Sequence, residues 1–123
     1  MKKIVCLLLG ATFLLASQND GAVIFKNNCQ VCHIMKKGWQ LSKAQKASMK
    51  APPAFGITKH VRDAFGDKKD FVEFVSNYIA HPDKSKAKCE KKAIKRFGLM
   101  PPIGAGMTKQ ERENVASWMF DNL

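Results

Sequence analysis

The sequence predicts an all-α protein made of one small domain. Apolar residues recur at helical spacing, most clearly over residues 71–79, where positions i, i+3, i+4, i+7 and i+8 are apolar. No segment alternates steadily between apolar and polar residues, as a half-buried strand would, and no internal repeat is present. A chain of 123 residues that is 46% hydrophobic suits one globular domain. It is too short for a two-domain dehydrogenase, a TIM barrel or a large transporter.

Residues 1–17 have the layout of a secretory signal peptide. The segment begins with two lysines, continues with the apolar run Ile4–Leu15 and ends in Ala16-Ser17, which offers small residues for cleavage. The apolar run is short for a retained membrane span. We therefore predict cleavage after Ser17, export to the periplasm and a mature domain of residues 18–123. The alternative is a buried N-terminal helix.

The first helix of this domain is expected to begin at a cap formed by Asn19 or Asp20 and to run to about Cys32. Its predicted apolar face comprises Ala22, Phe25 and Cys29. A basic stretch, Lys36–Lys50, follows, and Pro52-Pro53 ends any helix there, because proline cannot continue a helical hydrogen-bond ladder.

Three further helices are predicted towards the C-terminus. Ile57–Phe65 has apolar residues at helical spacing. Asp70 and Glu73 resemble a capping box that opens the next helix, and Thr108 and Glu111 form a second box ahead of the last one. The predicted apolar faces of these last two helices are Phe71, Phe74, Val75, Tyr78 and Ile79, and Val115, Trp118 and Met119, respectively.

A cysteine and histidine motif lies at the end of the first predicted helix. Without the leader the chain has three cysteines, of which Cys29 and Cys32 precede His33 in the pattern C-x-x-C-H. In this pattern the two thiols form thioethers with the vinyl groups of haem, and the histidine binds the iron. The sequence therefore predicts one haem c attached through Cys29 and Cys32.

Other interpretations of the motif are weaker. A thioredoxin-like redox pair would require a βαβ pattern around it, which the surrounding residues do not show. A zinc site would require two more ligands at finger or ribbon spacing, and His60 and His81 are too far apart in sequence to supply them.

A six-coordinate haem needs a second axial ligand. The methionines outside the leader are Met35, Met49, Met100, Met107 and Met119. Met35 follows the motif too closely to reach the opposite side of the ring. Met119 lies inside the last predicted helix, and Met107 adjoins its cap.

Met100 is the preferred candidate. It lies in the segment Phe97–Pro102, where a glycine and two prolines predict a stiff, irregular loop. A ligand on such a loop can approach the iron without distorting a helix. The alternatives are Met107, ligation by His60 or His81, and an open sixth position.

The chain resembles the class I c-type cytochromes over nearly all of its mature length. Gly21 and Phe25 before the C-x-x-C-H motif, the loop with Met100-Pro101-Pro102, and Trp118 in the last helix carry this resemblance. It implies a cytochrome c-like fold of several helices around one covalently attached haem. It also implies that Gly21 lets the first and last helices cross closely, with Phe25 and Trp118 packed beside the crossing.

The resemblance implies electron transfer. Cys29, Cys32, His33 and Met100 would bind the haem, with His33 and Met100 as ligands of the iron. Histidine and thioether ligation raises the reduction potential. No Ser/His/Asp group, paired carboxylates or phosphate-binding glycine loop is visible, so we predict a carrier and not an enzyme. The alternatives are a haem subunit of a dehydrogenase complex and a ligand-binding or peroxidase-like protein with a labile sixth position.

The formal charge is +11, and loss of Lys2 and Lys3 with the leader leaves 11 − 2 = +9. This charge predicts acidic redox partners, either a membrane oxidoreductase or terminal oxidase, or a soluble dehydrogenase. Lys36, Lys37, Lys95 and Arg96 are expected near the exposed haem edge. No nucleic-acid motif is present, weak association with anionic membranes is compatible with the charge, and a monomer is expected.

For Cys89, flanking lysines predict a lowered thiol pKa, and the alternatives are an incidental thiol and an intermolecular disulfide.

Overall fold

The computed structural model describes residues 20–123. The elements are α1 Gly21–Asn28, a 3₁₀ turn Gly38–Gln40, α2 Lys43–Ser48, α3 Ala54–Phe65, α4 Lys68–Tyr78, α5 Lys91–Phe97, a 3₁₀ turn Ile103–Gly106, and α6 Lys109–Asn122. Because these residues contain helices and no strand, the all-α prediction is confirmed. Within the same range, no helix has the length and apolarity needed to cross a membrane. The predicted signal peptide, residues 1–17, lies outside the described residues.

The terminal helices α1 and α6 cross at Gly21. A Cβ atom added at Gly21 would lie 2.5 Å from Cβ of Trp118 and would also press on the backbone of Asn114. Beside the crossing, the rings of Phe25 and Trp118 pack with their centroids 5.2 Å apart. The expectation that Gly21 permits this crossing is confirmed, because no side chain would fit there.

Helix α6 is the centre of the fold, since both α1 and α4 pack on it. One buried cluster joins α1, α3 and α6 through Ile24, Phe25, Ala54 and Val115. A second joins α3, α4 and α6 through Val61, Phe71, Val75 and Ala116. Ile79 and Met119 pack against both clusters, so the two form one continuous core.

Some of the predicted N-terminal caps of the helices are confirmed and one is not. Asp20 caps α1 and accepts a hydrogen bond from the Ala22 amide, and the Thr108 capping box opens α6 as predicted. The predicted cap at Asp70 is wrong. Asp67 caps α4 instead and accepts from the Asp70 amide, because Gly66 ends α3 with a positive φ of 79° and the new helix starts just beyond it.

Helix α1 is also shorter than predicted. It ends at Asn28, and the motif residues that follow form a series of turns.

Candidate haem-binding site

The four predicted site residues line one cleft. Cys29, Cys32, His33 and Met100 contribute to its wall, although about seventy residues of sequence separate the first from the last. The rest of the wall comes from α1, α3, α4, α5 and α6 and from the segments before α3, α5 and α6, and is largely apolar. The fold therefore brings the motif and the Met100 loop to the same place.

Turns after α1 position the two thiols. The amides of Cys32 and His33 both donate to the carbonyl oxygen of Cys29, at 3.1 and 2.9 Å. Cys29 is partly buried and Cys32 is exposed, and neither forms a disulfide. Burial, together with the neighbouring Cys32, raises the pKa of the Cys29 thiol to about 11. Both thiols are free and lie on one short turn at the cleft wall.

The orientation of the His33 ring is set by a backbone carbonyl. Nδ1 donates to the Pro52 oxygen at 2.7 Å, because a carbonyl can only accept. Because Nδ1 carries the proton of this bond, Nε2 is the ring nitrogen with a free lone pair in the neutral ring. Burial lowers the pKa of His33, and the bond to Pro52 opposes the effect of burial. The ring thus favours the neutral form that metal binding requires.

A backbone hydrogen bond also fixes the extended segment that contains Pro52. The Ala54 amide donates to the Ile34 oxygen at 3.0 Å, just after the motif. Pro52 and Pro53 hold their backbone extended between the motif and α3. The two prolines predicted to end a helix therefore also place the hydrogen-bond partner of His33.

Glycines shape the loop that carries Met100. Gly98 ends α5 with a φ of 75°, a left-handed conformation that glycine adopts most easily. After the loop, Gly104 donates to the Ile79 oxygen at 2.8 Å, and a Cβ atom added at Gly104 would lie 2.6 Å from Cγ1 of Ile79. The loop is thus pinned to the C-terminal end of α4, and Met100 is partly buried within it.

The other candidate axial ligands divide into two groups. Met107 and Met119 also line the cleft, although both pack against the protein core. His60 and His81 do not line it. The Nε2 atom of His60 is 3.8 Å from Glu90, and His81 lies on a separate groove beside α4. The structure therefore leaves methionines, and not these histidines, at the cleft wall.

Sequence reasoning missed part of the wall on α4. Phe74, Val75, Tyr78 and Ile79 all line the cleft, although their spacing predicts only the apolar face of an amphipathic helix. Phe74 and Tyr78 stack with centroids 5.3 Å apart. The periodic signal was present, but a helical stripe alone does not tell whether protein or cofactor covers it.

Two basic residues line the cleft. Lys50 and Lys88 line it, whereas Lys36, Lys37, Lys95 and Arg96 do not. The Lys88 ammonium lies 5.5 Å from the ring centroid of Phe65 and 6.0 Å from that of Phe74. Lys88 is therefore held over aromatic faces at the cleft.

Cys89 also lines the cleft, and the prediction of a lowered pKa is wrong. Burial raises the pKa of this thiol. The nearby Tyr78 has a raised pKa, caused first by burial and then by the charges of Cys89 and Asp83. The effect of burial on the Cys89 pKa exceeds that of a backbone hydrogen bond, which lowers it, so the protonated thiol is favoured at neutral pH.

These donors fit a covalent haem. Two thiols on one turn can form the thioether links, an adjacent neutral imidazole can bind iron, and a largely apolar wall can cover the ring.

Comparisons with known proteins support the same assignment. A family model described as "Cytochrome C oxidase, cbb3-type, subunit III" matches residues 16–119. An uncharacterized protein of Aquifex aeolicus (strain VF5) is 33% identical over 110 residues, which cover 83% of this chain and 72% of that protein. No solved structure matches the chain at a significant level. The chain therefore belongs to the family of small c-type cytochrome domains that this model describes, whose covalent haem serves electron transfer.

Proposed function

We propose that the protein is a one-electron carrier with one haem c, held by Cys29 and Cys32 and ligated by His33 and Met100. The observation that carries this proposal is the shared cleft, in which the motif and the Met100 loop face one apolar wall. When bound, the haem supplies a reversible ferric/ferrous couple. The chain then has to hold the ring, fix its ligands and exclude water.

His33 is suited to bind iron through Nε2. Its Nδ1 donates to Pro52, which fixes both the tautomer and the ring plane and makes Nε2 a better donor. Burial keeps the imidazole neutral, so no proton has to be displaced at physiological pH.

Met100 is favoured over the other cleft methionines by its location. Met107 and Met119 pack against the core cluster of α1, α3 and α6, and the Met107 carbonyl accepts a hydrogen bond from Arg112 at 2.8 Å. Moving either sulfur to a metal would disturb that packing. Met100 belongs to neither core cluster and lies on a loop that is pinned at both ends.

The cleft suits a carrier better than an enzyme. If His33 and Met100 both held the iron, these side chains would leave no coordination position open to a substrate, and the haem would supply electron transfer alone. A thioether ligand favours the reduced iron and raises the potential relative to two nitrogen ligands. The apolar wall that includes Val75, Ile79 and Ile94 excludes water, which also raises the reduction potential.

Electrons would enter and leave at the mouth of the cleft. Val31, Leu99 and Ile103 line the cleft and remain 74%, 37% and 40% exposed. With Lys50 and Lys88 beside them, they form an apolar contact edged by positive charge. We propose that an acidic redox protein docks there, and that the carrier works as a monomer in the periplasm after removal of residues 1–17.

The axial ligands can be tested on the oxidised holoprotein. Methionine ligation should produce a weak near-infrared sulfur-to-iron charge-transfer band, which Met100→Ala should abolish while lowering the midpoint potential and allowing the reduced protein to bind carbon monoxide. Met49→Ala is the control, because Met49 lies outside the cleft. Loss of the band in Met107→Ala and its survival in Met100→Ala would show that the wrong methionine was chosen.

A further inference from the structure

Trp39 is the most exposed large apolar side chain among residues 20–123. It is 80% accessible and does not line the haem cleft. The 3₁₀ turn Gly38–Gln40 that carries it is well fixed, since the Lys37 amide donates to the Gln40 side chain at 2.8 Å and the adjacent Leu41 is buried. The indole is therefore held outwards on an ordered turn, although burying it inside the protein would be favourable.

Positive charge is concentrated around this turn. From Gly21 to Arg62 the chain carries seven lysines and one arginine and no acidic residue. Lys36, Lys37, Lys43 and Lys46 all fall within seven residues of Trp39 and are exposed. Along the described chain, the acidic residues are Asp20, just before this segment, and those from Asp63 onwards.

A second element adds to this surface. The guanidinium of Arg96 on α5 donates to the carbonyl oxygen of Lys46 on α2. Lys37 is held over the ring of Phe55, with its ammonium 5.8 Å from the centroid. We call the surface formed by Lys36, Lys37, Trp39, Lys43, Lys46 and Arg96 the Trp39 surface.

We propose that the Trp39 surface docks the protein on an anionic lipid surface. Tryptophan is favoured at the boundary between headgroups and acyl chains, where its ring is apolar and its N–H stays hydrated. Lysines around it are attracted to anionic headgroups without having to be desolvated. One inserted aromatic ring and several lysines give reversible binding, weaker than a permanent anchor.

The pattern favours lipid over a protein partner. A protein interface normally has a core of several adjoining apolar residues inside a polar rim. Of the other exposed large apolar residues, Val31, Leu99 and Ile103 line the cleft and Val23 lies on α1. Along its turn Trp39 is flanked by Gly38 and Gln40, and the nearby apolar Leu41 is buried. Because Trp39 is outside the cleft lining, lipid contact there does not require the residues that line the cleft. This inference does not depend on the identity of the axial ligands.

The test is co-sedimentation of the holoprotein with vesicles of phosphatidylglycerol and phosphatidylcholine, read by haem absorbance. Binding should require phosphatidylglycerol and weaken as salt is added. Trp39→Ala should weaken it about ten-fold, and Trp39→Phe by less. Lys43→Gln with Lys46→Gln should weaken it about 25-fold, from about five-fold for each lysine near the surface.

Matched controls separate this surface from general charge and hydrophobicity. Val31→Ala removes an exposed apolar side chain at the cleft mouth, and Lys69→Gln with Lys109→Gln removes equal charge from α4 and α6. Both should bind vesicles like the wild type, as should Met100→Ala. Equal binding to pure phosphatidylcholine, or wild-type binding by Trp39→Ala, would overturn the proposal. So would variants that slow electron transfer to an acidic protein in solution while vesicle binding is unchanged, since the surface would then dock protein.

Discussion

The Nδ1 atom of His33 and the carbonyl oxygen of Pro52 are hydrogen-bonded at 2.7 Å, across nineteen residues of sequence. The contact connects the attachment motif to the start of α3 and decides which imidazole nitrogen can face a metal. The acceptor lies on the segment that Pro52 and Pro53 keep extended beside the motif. A carbonyl held by two prolines is a rigid acceptor, because each proline fixes its own φ.

Pro52→Gly should therefore weaken the iron–histidine bond without removing any ligand. Loosening the backbone lowers stability by about 1 kcal/mol through the entropy of the unfolded chain, and the loss of His33 orientation adds to it. Denaturant titration of the holoprotein, followed at the haem Soret band, measures the total. Pro82→Gly is the control, because Pro82 does not line the cleft. Equal losses in the two variants would mean that Pro52 does not position His33.

The crossing of α1 and α6 should not tolerate any side chain at residue 21. Gly21→Ala places a Cβ atom 2.5 Å from that of Trp118, so the helices must separate, at a cost of about 1–3 kcal/mol in unfolding free energy. Gly56→Ala, in the first turn of α3, meets nothing within 4 Å and should stabilise by up to about 1 kcal/mol. Urea unfolding followed by circular dichroism compares them. A neutral Gly21→Ala would contradict the close crossing.

The hydroxyl of Thr58 is a buried polar group that is expected to lower the stability of the fold. It is fully buried, and its hydroxyl oxygen has no hydrogen-bond partner. Thr58→Val keeps the shape and removes the desolvation penalty, so it should stabilise the holoprotein by about 1 kcal/mol. Ser76 is also buried, but its hydroxyl donates to the Glu73 oxygen at 3.1 Å.

Ser76→Ala is therefore the matched comparison, and it should destabilise by about 1 kcal/mol. Thermal unfolding of both variants against the wild type measures the two effects. A destabilised Thr58→Val would show that its hydroxyl has a partner in solution, for instance a water molecule.

Local signals predicted the features that depend on local chemistry. The Thr108 box, the motif and the proline-rich Met100 loop each rely on residues a few positions apart, and the structure has them where expected. The α4 start was misplaced by one turn because Asp67 and Asp70 are both good caps. Only the turn at Gly66 shows which one is used.

Features that depend on tertiary burial were not predictable in this way. The lysines beside Cys89 suggested a reactive thiolate, yet burial in the cleft wall dominates and raises the pKa. Likewise, the apolar stripe on α4 could not reveal that Phe74 and Tyr78 face the cleft. In both cases the environment comes from residues far away in sequence.

Docking of an acidic partner at the cleft mouth should depend on Lys50 and Lys88. Both line the cleft, so their charges lie at the site of the proposed electron transfer. Attraction over about 8 Å at physiological salt should raise the encounter rate about ten-fold or more at low ionic strength. Lys50→Gln with Lys88→Gln should slow stopped-flow electron transfer to an acidic redox protein and flatten its salt dependence, and Lys88→Arg should retain the rate. Lys36→Gln with Lys95→Gln removes the same charge outside the cleft lining. A larger effect of that control pair would place docking away from the mouth.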